Sequence, residues 1–210
     1  MPMVLGGILG GVGGLAAGLV VGWLLPHYGD TPPSDSPAWR RAVGLAALGA
    51  ALLGGYAGWR VGGWGTPLSA AVVTGICLAV SVIDLRVRRI PNVLVGALAA
   101  WALVQTLFLP GPALPEALMG ALASGGAFAL LFILGRGAMG AGDVKFMAAA
   151  GLLLGWPLIG VGMLWGIILG GLAALFLLAT RRAGRKDPMA YGPYLALGVW
   201  AVWVWQHVLV

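Results

Sequence analysis

Eight apolar runs divide the chain, at 4–25, 40–59, 67–83, 92–109, 114–134, 143–155, 157–179 and 191–208. The stretches between them are short, and proline or glycine punctuates each one. No segment shows the apolar–polar alternation of a half-exposed strand. Lipid leaves the backbone little besides helix, because each N–H and C=O must find its partner inside the protein. The pattern therefore predicts an all-α polytopic membrane protein of about eight transmembrane helices, at roughly 20 residues per span. The run at 143–155 is short for a span, so it needs residues near Met139, a tilt, or a partly re-entrant path.

Composition supports that class. Hydrophobic residues make up 60% of the 210 positions and charged residues 9%, against about 25% charged in soluble proteins. The mean hydropathy is +0.99. No room remains for a separate soluble domain. The net charge of +6 raises the question of nucleic acid, but the basic residues sit in short loops between apolar runs, where they set topology. No nucleic-acid partner is expected. The single cysteine, Cys77, lies inside an apolar run and reads as a small buried hydrophobe. The start, MPMVLGG, has no basic residue before its apolar stretch and reads as a retained first span rather than a cleaved signal. Glycine-rich stretches such as 6–18 would let helices approach closely. The tryptophans read as interfacial anchors or packing residues, and His27 and His207 as interfacial residues without a partner pattern.

Alternating spans sort the charges. Arg40, Arg41, Arg86, Arg88, Arg89, Arg136, Lys145, Arg181, Arg182, Arg185 and Lys186 share one side, and only Arg60 of the 12 basic residues falls on the other. The positive-inside rule makes the crowded side cytoplasmic. Both termini then point outward.

Acidic residues are rare, six in all, and two matter. Asp84 ends the third run in SVIDLRVRRIPN, and Asp143 opens the sixth in GAGDVKF. Both fall at the cytoplasmic end, 59 positions apart (143 − 84), where they can meet in space. An intramembrane carboxylate costs several kcal/mol, roughly 3 or more, so it faces a cavity or protein interior and usually has a task. Taken singly, each has a plainer reading. Asp143 can be the N-cap of its helix after a glycine turn, and Asp84 a solvated acid at a helix end beside arginines.

Three segments together change that balance. Asp84-Leu-Arg-Val-Arg-Arg-Ile-Pro-Asn and Gly-Ala-Gly-Asp143-Val-Lys-Phe resemble the two signature segments of the prepilin peptidases. These type IV leader peptidases are GxGD-type intramembrane aspartic proteases. Tyr191-Gly-Pro-Tyr-Leu is similar to the family's C-terminal motif and makes Gly192 and Pro193 supporting residues. The resemblance covers 67–210 and implies a six-helix catalytic core there, preceded at 1–66 by two glycine-rich transmembrane helices joined by a short cytoplasmic loop. It implies that Asp84 and Asp143 are the catalytic pair. Two carboxylates close together tend to hold one proton between them, so one takes a proton from water and the other polarises the scissile carbonyl. Neither role is assigned to a particular aspartate, and such chemistry requires no metal and no cofactor.

Supporting roles follow. Gly140 and Gly142 keep the loop thin enough for substrate backbone to reach Asp143. Pro91 holds Ile90 out of helix and breaks the chain after Asp84. Asn92 caps the fourth span. Lys145 either tunes the pair, contacts lipid phosphate, or anchors the cytoplasmic side. The arginines at 86, 88 and 89 read as topology and lipid-headgroup residues, with a minor reading in which they meet an acidic residue of the substrate.

The resemblance is to the peptidase-only form. Relatives that also methylate the new N-terminus carry two CxxC pairs that this sequence lacks, so the expectation runs against an N-methyltransferase activity. Presenilin-like proteases carry a YD dipeptide and a PAL motif. Here Ile83 precedes Asp84 and no PAL follows Asp143. The expected activity is removal of the leader from type IV prepilins or related pseudopilins at the inner face of the cytoplasmic membrane. The alternative of a different class is a non-enzymatic membrane protein, such as a proton-coupled transporter subunit or an inactive relative that binds pilin-like helices.

Overall fold

A computed structural model of the chain describes residues 65–135, 139–181 and 189–209, with isolated helical positions between residues 12 and 56. The predicted N-terminal helix pair, apart from those positions, lies outside the described residues. So do His27, Arg40, Arg41, Arg60, Arg136, Arg182, Arg185 and Lys186.

Six α-helices follow one another: α1 (Gly65–Val87), α2 (Asn92–Phe108), α3 (Leu114–Leu134), α4 (Ala141–Leu154), α5 (Leu158–Ala179) and α6 (Gly192–Val204). A π turn, Trp205–Leu209, continues α6. The chain is a helical membrane protein. Three helices, α1, α3 and α5, are long and apolar enough to cross a bilayer. Helix α4 has only 14 residues, about 21 Å at 1.5 Å per residue, against a hydrocarbon core of about 30 Å. Of the eight predicted spans, the described residues thus provide six helices, half of them of spanning length.

The helices pack as two layers of three. One layer runs α3–α4–α2 and the other α5–α6–α1. They face each other through α1 with α2, α4 with α6, and α3 with α5. Helices α4 and α6 are the middle members. Helices α3 and α4 run antiparallel, since Gly120 lies against Gly151 and the Ser124 hydroxyl donates to the Met147 carbonyl at 2.7 Å. So do α1 and α6, where the Gly192 N–H donates to Asp84 and Trp200 Nε1 to Thr74 Oγ1 at 3.0 Å.

Glycine brings the backbones together within each layer. A Cβ at Gly151 would run into the Gly120 carbonyl and Ser124 Oγ, and one at Gly198 into the Gly162 carbonyl. Small residues permit this approach, which in lipid supplies packing where the hydrophobic effect between helices is weak. Between the layers the filling is bulky. Ile83, Phe146, Met147, Leu153, Leu154, Ile159, Leu195 and Trp203 are fully buried. Two-thirds of the α1 span (67%) is buried against 22% of α3 and 17% of α5, so α1 is an interior helix and the other two offer broad apolar faces to lipid.

Two expectations are corrected here. The third run does not stop at Asp84, because α1 continues one turn to Val87. Leu85 and Arg86 face outward and do not oppose helix. The break comes later, at Arg88 (φ 54) and at Ile90, which Pro91 holds away from helical geometry. His207 is no partnerless interfacial residue. Its ring stacks on Trp203 with centroids 4.6 Å apart, and its Nε2 lies 3.4 Å from Gln105 Nε2. Trp203 Nε1 donates to the buried Gln105 Oε1 at 3.3 Å. The end of α6 and the π turn after it thus reach Gln105 of α2 with groups about 100 positions away, a distance at which no spacing rule operates.

The glycine approach makes a stability prediction. Gly151→Ala should destabilise the bundle by about 1–3 kcal/mol through overpacking, whereas Gly126→Ala, where a Cβ meets nothing within 4 Å, should be neutral. Thermal unfolding of the two variants in the same detergent checks this.

Candidate active site

One end of the bundle collects the C-terminal turn of α1, the N-termini of α2, α4 and α6, and the two acids. Asp84 is 5% exposed and Asp143 7%. A carboxylate this dry needs hydrogen-bond donors, and the backbone supplies one to each.

Asp143 is served by its own helix. Gly140, with extended φ −80 and ψ 144, is the N-cap of α4. Its N–H donates to Asp143 Oδ2 at 3.1 Å, while the Asp143 N–H donates to the Gly140 carbonyl at 3.1 Å. Asp143 is therefore the third helical residue, not the cap. A carboxylate there accepts from the N-cap N–H, the half of a capping box that a glycine cap allows, and lies in the positive end of the helix dipole.

Asp84 is served from far along the chain. The Gly192 N–H, at the first residue of α6, donates to Asp84 Oδ2 at 2.8 Å. A Cβ on Gly192 would sit 2.8 Å from that same oxygen and 3.0 Å from Cγ. Only glycine lets the amide approach this closely. Pro193 follows at the second helical position, where the missing N–H costs nothing. The charges of Asp84 and Asp143 act on one another, so the two carboxylates share one electrostatic environment.

The remaining sequence-predicted residues gather around this end, some in other roles. Gly142 does admit a close backbone, but that backbone belongs to this chain. A Cβ there would lie 3.1 Å from Ile90 Cβ and 3.4 Å from its N. The segment 88–91 thus crosses the first turn of α4. Asn92 does not cap α2. Pro91 occupies the N-cap position with φ −63 and ψ 132 and no side-chain bond, because the proline ring already holds the φ that position needs. Instead the Asn92 Oδ1 accepts from Lys145 Nζ at 3.1 Å. Arg86, Arg88 and Arg89 are exposed beside Asp84.

Sequence reasoning passed over two residues as individuals. Tyr191, which immediately precedes α6, feels the Asp143 charge. Its ring lies over Gly170 of α5, where a Cβ would come within 2.8 Å of the phenol carbons. The signal available for Tyr191 was its place beside Gly192-Pro193. For Gly170, one glycine among 37, there was none.

The arrangement can bind and move a proton. Two nearly dry carboxylates, each with one fixed donor and in electrostatic contact, have spare acceptor positions for water or a polarised carbonyl.

Comparison with known proteins yields one family. The model of the type IV leader peptidase family matches residues 71–175, which contain both aspartates. Curated proteins named prepilin leader peptidase/N-methyltransferase are similar. The Pseudomonas aeruginosa protein is 32% identical over 171 residues, 77% of this chain and 57% of the relative. That of Xanthomonas campestris pv. campestris is 36% identical over 162 residues, 72% and 55%, and that of Aeromonas hydrophila 31% over 148, 68% and 51%. The chain thus spans about half the length of the curated relatives it matches. No solved structure gives a significant match.

Asp84→Ala should leave the buried Gly192 N–H without an acceptor and cost about 1–3 kcal/mol, while Asp84→Asn, which keeps a carbonyl oxygen, should cost less. Detergent melting curves of the two variants distinguish these outcomes.

Proposed function

Because the chain belongs to the type IV leader peptidase family, we propose that it is an aspartic endopeptidase that removes the leader of type IV prepilins or related pseudopilins. One observation carries the reading. Asp84 and Asp143, the buried acids among the described residues, lie at one end of the bundle, each accepting from a backbone N–H.

The chemistry follows from that pair. With one proton between them, the ionised carboxylate takes a proton from water as it attacks the scissile carbonyl. The protonated one polarises the carbonyl oxygen by a hydrogen bond, keeps its proton, and gives it to the leaving amine as the C–N bond breaks, so that the pair again holds one proton, the one taken from water. The backbone donors hold one oxygen of each carboxylate, which leaves the other free for water or substrate. No metal or cofactor enters the scheme. The relatives' names also include N-methyltransferase. The proposal covers the peptidase step alone, since this sequence has one cysteine, the buried Cys77, and no CxxC pair.

The site belongs at the cytoplasmic face of the inner membrane. Supporting this, Arg86, Arg88, Arg89 and Lys145 flank the acids in sequence, and basic loops are retained on the cytoplasmic side. A prepilin would then lay its apolar helix in the bilayer beside the bundle and present its basic leader from the cytoplasm. The expected partners are therefore prepilin or pseudopilin substrates and the surrounding lipid.

Co-expression with a prepilin tests this by gel shift. Wild type should shorten the pilin, and Asp84→Asn and Asp143→Asn should not, with all three proteins equally present in the membrane. Cleavage by either variant, or none by wild type across several prepilins, would remove the proposal. Gly192→Ala should lower the cleavage rate about 100-fold by displacing the Asp84 carboxylate, since misplacing a reacting group by about 1 Å has that scale of effect.

A further inference from the structure

Resting on the peptidase reading, we propose that Lys145 and Asn92 form a bridge that positions the two aspartates relative to each other. Lys145 is then neither a charge that tunes them nor a lipid anchor.

Asp84 and Asp143 lie in different layers, and α1 and α4 are not main packing neighbours. Their spacing must be set by whatever ties the end of α1 to the start of α4. The segment 88–91 does so. It leaves α1 four residues after Asp84, crosses Gly142 in close contact through Ile90, and delivers Asn92 to the start of α2. There the Asn92 carboxamide accepts the Lys145 ammonium at 3.1 Å. Lys145 is two residues from Asp143. The hydrogen bond therefore closes a short loop of chain that contains both carboxylates: Asp84, the strap, Asn92, Lys145, Asp143.

Helix geometry separates this role from charge tuning. Residues two apart on an α-helix point about 200° away from each other. The Lys145 side chain leaves α4 on the side opposite Asp143, and it is exposed while Asp143 is buried. A water-screened charge across the helix has little hold on the pair. A bond to the strap holds the backbone on which Asp84 depends. Lys145 and Asn92 are positioning residues, since neither touches the reacting atoms.

The test uses the full chain in membranes and steady-state cleavage of a prepilin. Lys145→Met removes the donor and the charge. Asn92→Leu removes the acceptor but leaves the ammonium intact. Both should lower kcat about ten-fold at similar KM, a fraction of the effect of a full misplacement, with the pH profile unmoved. Asn92→Asp, which keeps an acceptor, should recover most of the loss. The double variant Lys145→Met/Asn92→Leu should be no worse than either single one, because each breaks the same contact. Full activity of Asn92→Leu together with a shifted pH profile for Lys145→Met would overturn the bridge in favour of charge tuning. Wild-type kcat in both single variants would overturn it outright. A second measurement does not depend on cleavage. In a Cys77→Ala background, Asn92→Cys/Lys145→Cys should cross-link with a short bis-maleimide, and failure to do so would also overturn the bridge. An inactive wild type would remove the peptidase reading and the positioning role together, whereas loss of the bridge with an active wild type removes the positioning role alone.

Discussion

A carboxylate inside a membrane bundle must be given its hydrogen-bond donors by the protein, and the rest of this structure is arranged around doing so twice. Asp84 receives the Gly192 amide from a helix 108 residues further on, and Asp143 receives the Gly140 amide from its own cap. The first bond requires α6 to start beside the end of α1 and requires glycine where it starts. The second requires a glycine turn immediately before α4. Helix N-termini suit both tasks, because their first amides have no partner within the helix and the helix dipole favours negative charge there.

Close helix packing makes room for that geometry. The Gly120–Gly151 and Gly162–Gly198 approaches draw α3 to α4 and α5 to α6. The middle helices of the two layers are thereby enclosed, and the bulky side chains Phe146, Met147, Leu195 and Trp203 fill the space between layers. Helix α4 is too short to reach both faces of a bilayer by itself. Its first turn, with Asp143, is set within the bundle, covered on one side by the 88–91 strap. Shortness, a glycine cap and a strap together keep a carboxylate nearly dry at one end of the bundle.

The opposite end shows the same economy with neutral groups. Trp203 and His207, stacked on one another at the end of α6, both reach Gln105 of α2. A buried amide bonded to an indole ties the two layers together there, whereas the Asp84–Gly192 bond joins α1 and α6 within one layer and the Asp143–Gly140 bond stays within the start of α4. Polar groups are scarce inside the bundle; some bond across helix pairs, as Trp200 does to Thr74, and others along their own helix, as Ser81 does to the Cys77 carbonyl.

Much was legible from sequence because lipid imposes strong local rules. Apolar runs announce helices, prolines and glycines mark their ends, and a carboxylate next to such a run stands out against a composition with six acidic residues. Class, element order and the singling out of Asp84 and Asp143 follow from those rules, with the family motifs adding the chemistry proposed for them. Tertiary structure decided the rest: which amide serves Asp84, that Gly140 rather than Asp143 is the cap, that Asn92 turns to Lys145 rather than to its own helix, and that Tyr191 lies over Gly170 near Asp143. Each depends on groups from different helices meeting in space. Periodicity and spacing describe one segment at a time and carry no information about which faces of separate helices come into contact.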